Sequence, residues 1–140
     1  MIELEDAVAE VPESAKDLFR RPNLAWATTV RADGTPHNTV VWVDVDDKGE
    51  IVFNTAVGRV KERHLRANPS IALSVLDPEN PYHYVTVNGT AEITTEGALD
   101  TINRLAKKYI NRDTYPNLQP GEVRVNVYVR PERVFYNNPS

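Results

Sequence analysis

A chain of 140 residues has room for one buried core and too little length for a second domain of ordinary size. Its apolar fraction of 41% and charged fraction of 26% are those of an ordinary globular chain, and no apolar run approaches the ~20 residues that span a bilayer. A formal net charge of -4 weighs against general nucleic-acid binding, and the absence of cysteine excludes disulfides, thiolate nucleophiles and zinc-thiolate centres.

The first residues, MIELEDAVAEVPES, are acidic and lack the basic and apolar regions of a secretory signal; with no cysteine present, the expected compartment is the cytoplasm. One domain over residues 1–140 is expected, with 1–11 as a flexible or loosely packed segment. Pro12 can open a short helix and Pro22 stops it, placing a helix over 12–21. LAWATTV reads as a strand, Asp33-Gly34 as a turn, and HNTVVWVDV as the returning strand of a hairpin. DDKG then turns the chain into a third strand, IVFNT.

After a basic segment, Asn68-Pro69 ends a helix, and SIALSVL forms the next strand. DPENP turns into the long strand YHYVTVNGTAEI, in which Gly89 marks a bulge or a second tight turn. Leu99, Ile102, Leu105, Ala106, Tyr109 and Ile110 recur at helical spacing within 96–110, with Glu96 early and Lys107 and Lys108 late, as the helix dipole favours. RDTYPNLQPGE reads as a loop, and VRVNVYV with RVFY as a last strand, interrupted at Pro131. Six mainly antiparallel strands with two or three helices give a mainly β (α+β) chain, and so many strands in so short a chain favour a closed or split barrel.

The unusual stretch is NTAVGRVKERHLRANP. In a helix over 58–67, Arg59, Arg63 and Arg66 share one face while Lys61 points nearly opposite, toward the side of Leu65. Arg66 has an i,i+4 partner in Glu62. Arg59 and Lys61 sit in the first turn, where the positive end of the helix dipole disfavours cations by roughly 0.3–1 kcal/mol each. An anion held by free backbone N–H groups, both side chains and the Thr55 hydroxyl offsets that cost; side chains extended into water are the plain alternative.

Strand, Asn-Thr, a short linker, Arg-x-Lys-x-x-x-Leu-x-x-Asn-Pro and then an apolar strand resemble the FMN-binding split-barrel family related to pyridoxamine 5'-phosphate oxidase. LAWATTVRADGTPHNTVVWVDV, YHYVTVNGTAEI and RPERVFY are similar to its deazaflavin (coenzyme F420)-dependent branch, over roughly residues 12–136. The resemblance implies a six-stranded antiparallel split barrel that forms a homodimer with a cofactor in each of two clefts between subunits. It implies that Arg59 and Lys61 hold the cofactor phosphate and that Asn54 and Thr55 lie around the phosphate and ribityl chain. Asn38, Thr39, Val40 and Val41 would line the tricyclic ring, and Tyr82 would come from the partner subunit.

The implied activity is hydride transfer from a reduced deazaflavin to a conjugated, electron-poor small molecule, with no catalytic side chain required. FMN is the alternative cofactor, and an FMN-dependent oxidoreductase or a flavin-binding dimer without turnover the alternative function. The C-terminus RVFYNNPS lacks the Arg and His that pyridoxamine phosphate oxidases place near their end, which argues against that reaction. His37, His64 and His83 are the acid–base candidates, His37 the nearest to the ring. Trp26 and Trp42 read as core or interface, Asp44, Asp46 and Asp47 as a polar turn without metal, and the serines lack a nucleophile elbow.

Overall fold

Strand alternation is plainest in β2 (Ala25–Val30), where Ala25, Ala27 and Thr29 are buried and Trp26 is exposed. A turn in which Asp33 accepts from both the backbone N–H and the hydroxyl of Thr35 joins β2 to β3 (Pro36–Val41). The register pairs Trp26 with Val40 and Ala27 with Thr39, so Val40 faces outward and Thr39 inward. The protein is a computed structural model describing residues 2–5 and 9–139, with side chains from Ala9 onward.

Beyond Trp42 the same segment continues as β4 (Val43–Val45), which leaves β2 and pairs with β5 (Ile51–Ala56). The sheet then runs β3-β2-β6-β7-β8-β5-β4, with β6 as Ser70–Asp77, β7 as Asn80–Thr94 and β8 as Arg124–Asn137. Its two ends are therefore one length of chain, bent at Trp42, and this closes the antiparallel sheet into a split barrel. Phe53, Leu73, Val75, Val85, Val87 and Val127 are buried in its core. At roughly 1.5–3 kcal/mol per fully buried large apolar side chain, this core is the main favourable contribution to folding.

The six expected strands are all present. Eight segments result because the second strand breaks at Trp42 and because Ile2–Glu5 forms β1, paired with residues 133–136 of β8. Within the segment 1–11, expected to be flexible or loosely packed, Ala9 and Val11 are buried; Met1 and residues 6–8 lie outside the described residues. Pro131 does not end the last strand. A bulge opposite Asn88 and Gly89 carries β8 past it, and a Cβ on Gly89 would lie 2.0 Å from the Arg130 carbonyl oxygen, so only glycine fits.

Helix α1 (Glu13–Arg20) packs Leu18 and Phe19 into the core, and α2 (Val60–Ala67) packs Leu65. Helix α3 (Ala98–Ile110) buries Ala98, Thr101, Ile102, Leu105 and Ala106, one stripe of its surface, while Leu99 and Ile110 of the expected apolar set are exposed. Asn111 ends α3 in the left-handed conformation (φ 55°), which asparagine tolerates better than most residues.

Candidate functional site

Where β5 ends at Ala56, Gly58 (φ +87°) turns the chain and Arg59 takes an extended conformation as the N-cap of α2. Arg59, expected inside a helix over 58–67, thus lies just outside α2, and Lys61 lies in its first turn. The buried carboxylate of Glu62 accepts the Gly58 backbone N–H at 2.9 Å and the Arg66 guanidinium at 2.5 Å. The Gly58 N–H is the larger cause, and Arg66 the next, of a Glu62 pKa below the usual range. This carboxylate satisfies the turn and consumes Arg66, leaving Arg59 and Lys61 to face the sheet.

Lys61 donates to the Thr39 hydroxyl at 3.0 Å, reaching across to the inward face of β3. Among the described residues it has no carboxylate within ion-pairing distance. Burial lowers its pKa from the usual lysine value, and the neighbouring Arg59 charge adds to the effect. A half-buried ammonium held only by a hydroxyl is costly unless a counter-charge is supplied.

Lys61 and Arg59 line a pocket of about 270 Å³ with Val40, Val41, Asn54 and Thr55. Six of the nine expected binding residues are therefore gathered around one cavity, and Thr39 stands behind it as the Lys61 acceptor. Asn38 is exposed on the outer face, accepting from the Thr28 hydroxyl at 2.8 Å. Tyr82, 70% exposed at the start of β7, does not line this cavity.

Arg124 and Glu122 complete the site, and neither is marked by any local pattern in the sequence. Arg124, beside Ala56 in the β5–β8 register, is buried; its Nε donates to Asn54 Oδ1 at 2.8 Å and its Nη1 to Glu122 Oε1 at 2.8 Å. The same Glu122 oxygen accepts from Arg59 at 3.0 Å, and its other oxygen takes the Gln119 N–H at 2.9 Å. That N–H first, and Arg124 and Arg59 after it, hold the Glu122 carboxyl below the usual range against the opposing effect of burial. Asn54 donates to the Ala98 carbonyl at 2.9 Å and to Asn126 Oδ1 at 3.0 Å, fixing its own oxygen toward Arg124.

The far wall is aromatic and aliphatic. Trp42 stacks on Tyr109 with ring centroids 5.4 Å apart and meets the Tyr115 edge at 6.2 Å, and Ile102 and Leu105 of α3 complete the lining. The Tyr109 hydroxyl donates to the Asn23 carbonyl at 2.5 Å, and burial pushes its pKa up to about 12. Lys108 Nζ, beside it, donates to the carbonyls of Phe19 and Val43, each at 2.6 Å. These bonds fix the bend at Trp42.

The histidines stand apart from this pocket. His37 and His64 meet edge to face at 5.2 Å; His37 hydrogen-bonds Arg31, and His64 hydrogen-bonds Thr29. His83 bridges Asp77 and the Tyr136 hydroxyl. Asp44 pairs with Lys108, and Asp46 caps the turn before β5. A larger cleft of about 550 Å³ lies between residues 9–16 and β8, but its cations are already matched, Lys16 with Glu13 and Arg130 with Glu50.

No helix is long and apolar enough to cross a membrane among the described residues. A search of curated proteins finds no match. Among solved structures, an F420 reductase is 36% identical, covering 89% of this chain and 98% of its own, with a TM-score of 0.75. A conserved hypothetical protein from Mycobacterium tuberculosis is 22% identical (94% and 87% covered, TM-score 0.74), and HupZ of Group A Streptococcus is 23% identical (94% and 100% covered, TM-score 0.66). At those identities the last two show the fold alone. Residues 11–138 match the pyridoxamine 5'-phosphate oxidase family, and the chain belongs to that family of split barrels.

Proposed function

We propose that the protein is an F420-dependent oxidoreductase that works as a homodimer, with the cofactor phosphate seated between Arg59 and Lys61. The observation that carries this reading is the half-buried Lys61 ammonium, which has a hydroxyl and no carboxylate as its partner. The similarity to an F420 reductase at 36% identity supports the choice of deazaflavin over FMN. When bound, a reduced deazaflavin supplies hydride from its C5 to a conjugated, electron-poor acceptor.

The chain's own residues bind and orient. Arg59 and Lys61 neutralise the phosphate, Thr55 and Asn54 line its approach, and Val40 and Val41 with Thr39 and Asn38 offer the ring edge of β3. A cavity of about 270 Å³ is smaller than the usual ligand pocket of roughly 300–1,000 Å³, so a tricyclic ring needs a further wall. The outer sheet face offers one route to it: the cross-strand partners Trp26 (52% exposed) and Val40 (42%) and, on the same face, Leu76 (50%) form an apolar surface that a second copy would cover. In that dimer Tyr82 reaches the site from the partner subunit.

An FMN-dependent oxidoreductase, or a flavin-binding dimer without turnover, is the second reading, favoured by the same phosphate-binding cations. The test is titration of the protein with the deazaflavin and with FMN, separately, followed by fluorescence quenching. Tight binding of the deazaflavin is expected; binding of FMN alone overturns the cofactor assignment, and binding of neither overturns the function.

A further inference from the structure

We propose that Arg124 is a third anion-binding residue of this site, and that Glu122 is the positioning residue that fixes it together with Arg59. The inference rests on the phosphate-site reading above and adds to it a residue that lies 65 positions from Arg59 in sequence.

Arg124 is clamped on three sides. Asn54 Oδ1 takes Nε, Glu122 Oε1 takes Nη1, and the Tyr115 ring lies 5.1 Å from the guanidinium carbon. Those contacts leave Nη2 without a hydrogen bond among the described residues. Yet no buried side-chain nitrogen or oxygen among those residues lacks a partner, so Nη2 is not sealed in. The residue is only 7% exposed and lines the same cavity as Arg59 and Lys61, so that cavity is the opening its free edge meets. A guanidinium held this way loses little side-chain freedom on binding and presents Nη2 in a fixed position as a charge-assisted donor to a phosphate oxygen.

Glu122 sets the charge as well as the geometry. It does not line the cavity, so its carboxylate grips both guanidinium groups from behind. Three cations and this one carboxylate leave a net charge of +2 around the pocket, which favours the negative charge of a phosphate group. The ligand class selected is therefore a phosphorylated molecule, and a neutral ring of the same shape should gain little from the site.

The experiment compares FMN, the deazaflavin, riboflavin and inorganic phosphate as ligands of the wild type, Arg124→Gln, Arg124→Lys and the paired Arg124→Gln/Glu122→Gln protein. The paired variant removes both buried charges together and keeps the fold testable, as circular dichroism and the melting curve will report. Affinity for the phosphorylated ligand that the wild type binds should fall roughly ten- to a hundredfold in Arg124→Gln, and less in Arg124→Lys and in the paired variant, which keeps the net charge but lacks the direct contact; riboflavin affinity should stay within about twofold. Equal loss for riboflavin, or no loss for the phosphorylated ligand in the folded paired variant, overturns the proposal. If the wild type binds no flavin, the cofactor reading fails alone: phosphate binding that disappears with Arg124→Gln still supports the anion role, and absence of phosphate binding by the wild type overturns it.

Discussion

Truncating Lys61 to alanine removes a cation whose described contacts are one hydroxyl and the pocket. At 4 Å and an effective dielectric of about 20, one pair of unit charges interacts by about 4 kcal/mol. Part of that is offset because lysine no longer has to be desolvated, leaving about 1.5–3 kcal/mol, the range of a charge-assisted hydrogen bond. The dissociation constant for the phosphorylated cofactor should therefore rise roughly ten- to 150-fold. Fold stability should change by no more than about 0.5 kcal/mol, since the lost bond to Thr39 at 3.0 Å is matched by relief of burial. The lowered Lys61 pKa adds a pH test: its charge is complete at low pH and is lost as pH rises through the folded value, earlier than for an ordinary lysine, and affinity declines with it. Equilibrium fluorescence titration across alkaline pH reads both effects. An unchanged dissociation constant in Lys61→Ala, with the fold intact, refutes the argument that this ammonium was waiting for an anion.

Gly89→Ala should destabilise the protein by about 3 kcal/mol or more in urea unfolding, because its Cβ would have to displace the Arg130 backbone at the bulge. Lys108→Met should cost about 1–3 kcal/mol by the same assay, since it leaves the Phe19 carbonyl without its buried donor and the Val43 carbonyl with only the longer contact from the Tyr109 hydroxyl; a neutral result would mean that water replaces the ammonium there. Acid should destabilise the fold. Glu62 is lowered chiefly by the Gly58 N–H and Asp77 chiefly by the Glu79 N–H, so their contributions are present above the ordinary carboxylate pKa and disappear as pH falls through the depressed values. A urea midpoint that stays flat from neutral pH down to pH 3 would contradict this.

The strands were legible because their signals are local: LAWATTV, β-branched and aromatic and followed by the Asp33-Gly34 turn, reads as a strand, and Ala25–Val30 is one. The break at Trp42 was not, since Val41 and Val43 keep the same period across it and only the choice of partner strand changes. In β1, the glutamates flanking Ile2 and Leu4 gave the segment an acidic character that concealed its two-residue period. Arg59 and Lys61 stood out because cations in a first helical turn conflict with the dipole. Arg124 carried no such local signal: its partner Asn54 is 70 positions away, and only the β5–β8 pairing brings them together.

The shared segment from Pro36 to Val45 has a consequence for how the molecule can come apart. A flap held at one edge can peel away while the rest stays intact, but this stretch is stitched to β2 on one side of Trp42 and to β5 on the other. Freeing it unseals the barrel at both margins at once, so local opening at the pocket wall approaches the work of global unfolding. Any molecule gripping Val40 to Trp42 would accordingly slow amide hydrogen exchange and proteolysis throughout the chain, far from the residues it touches.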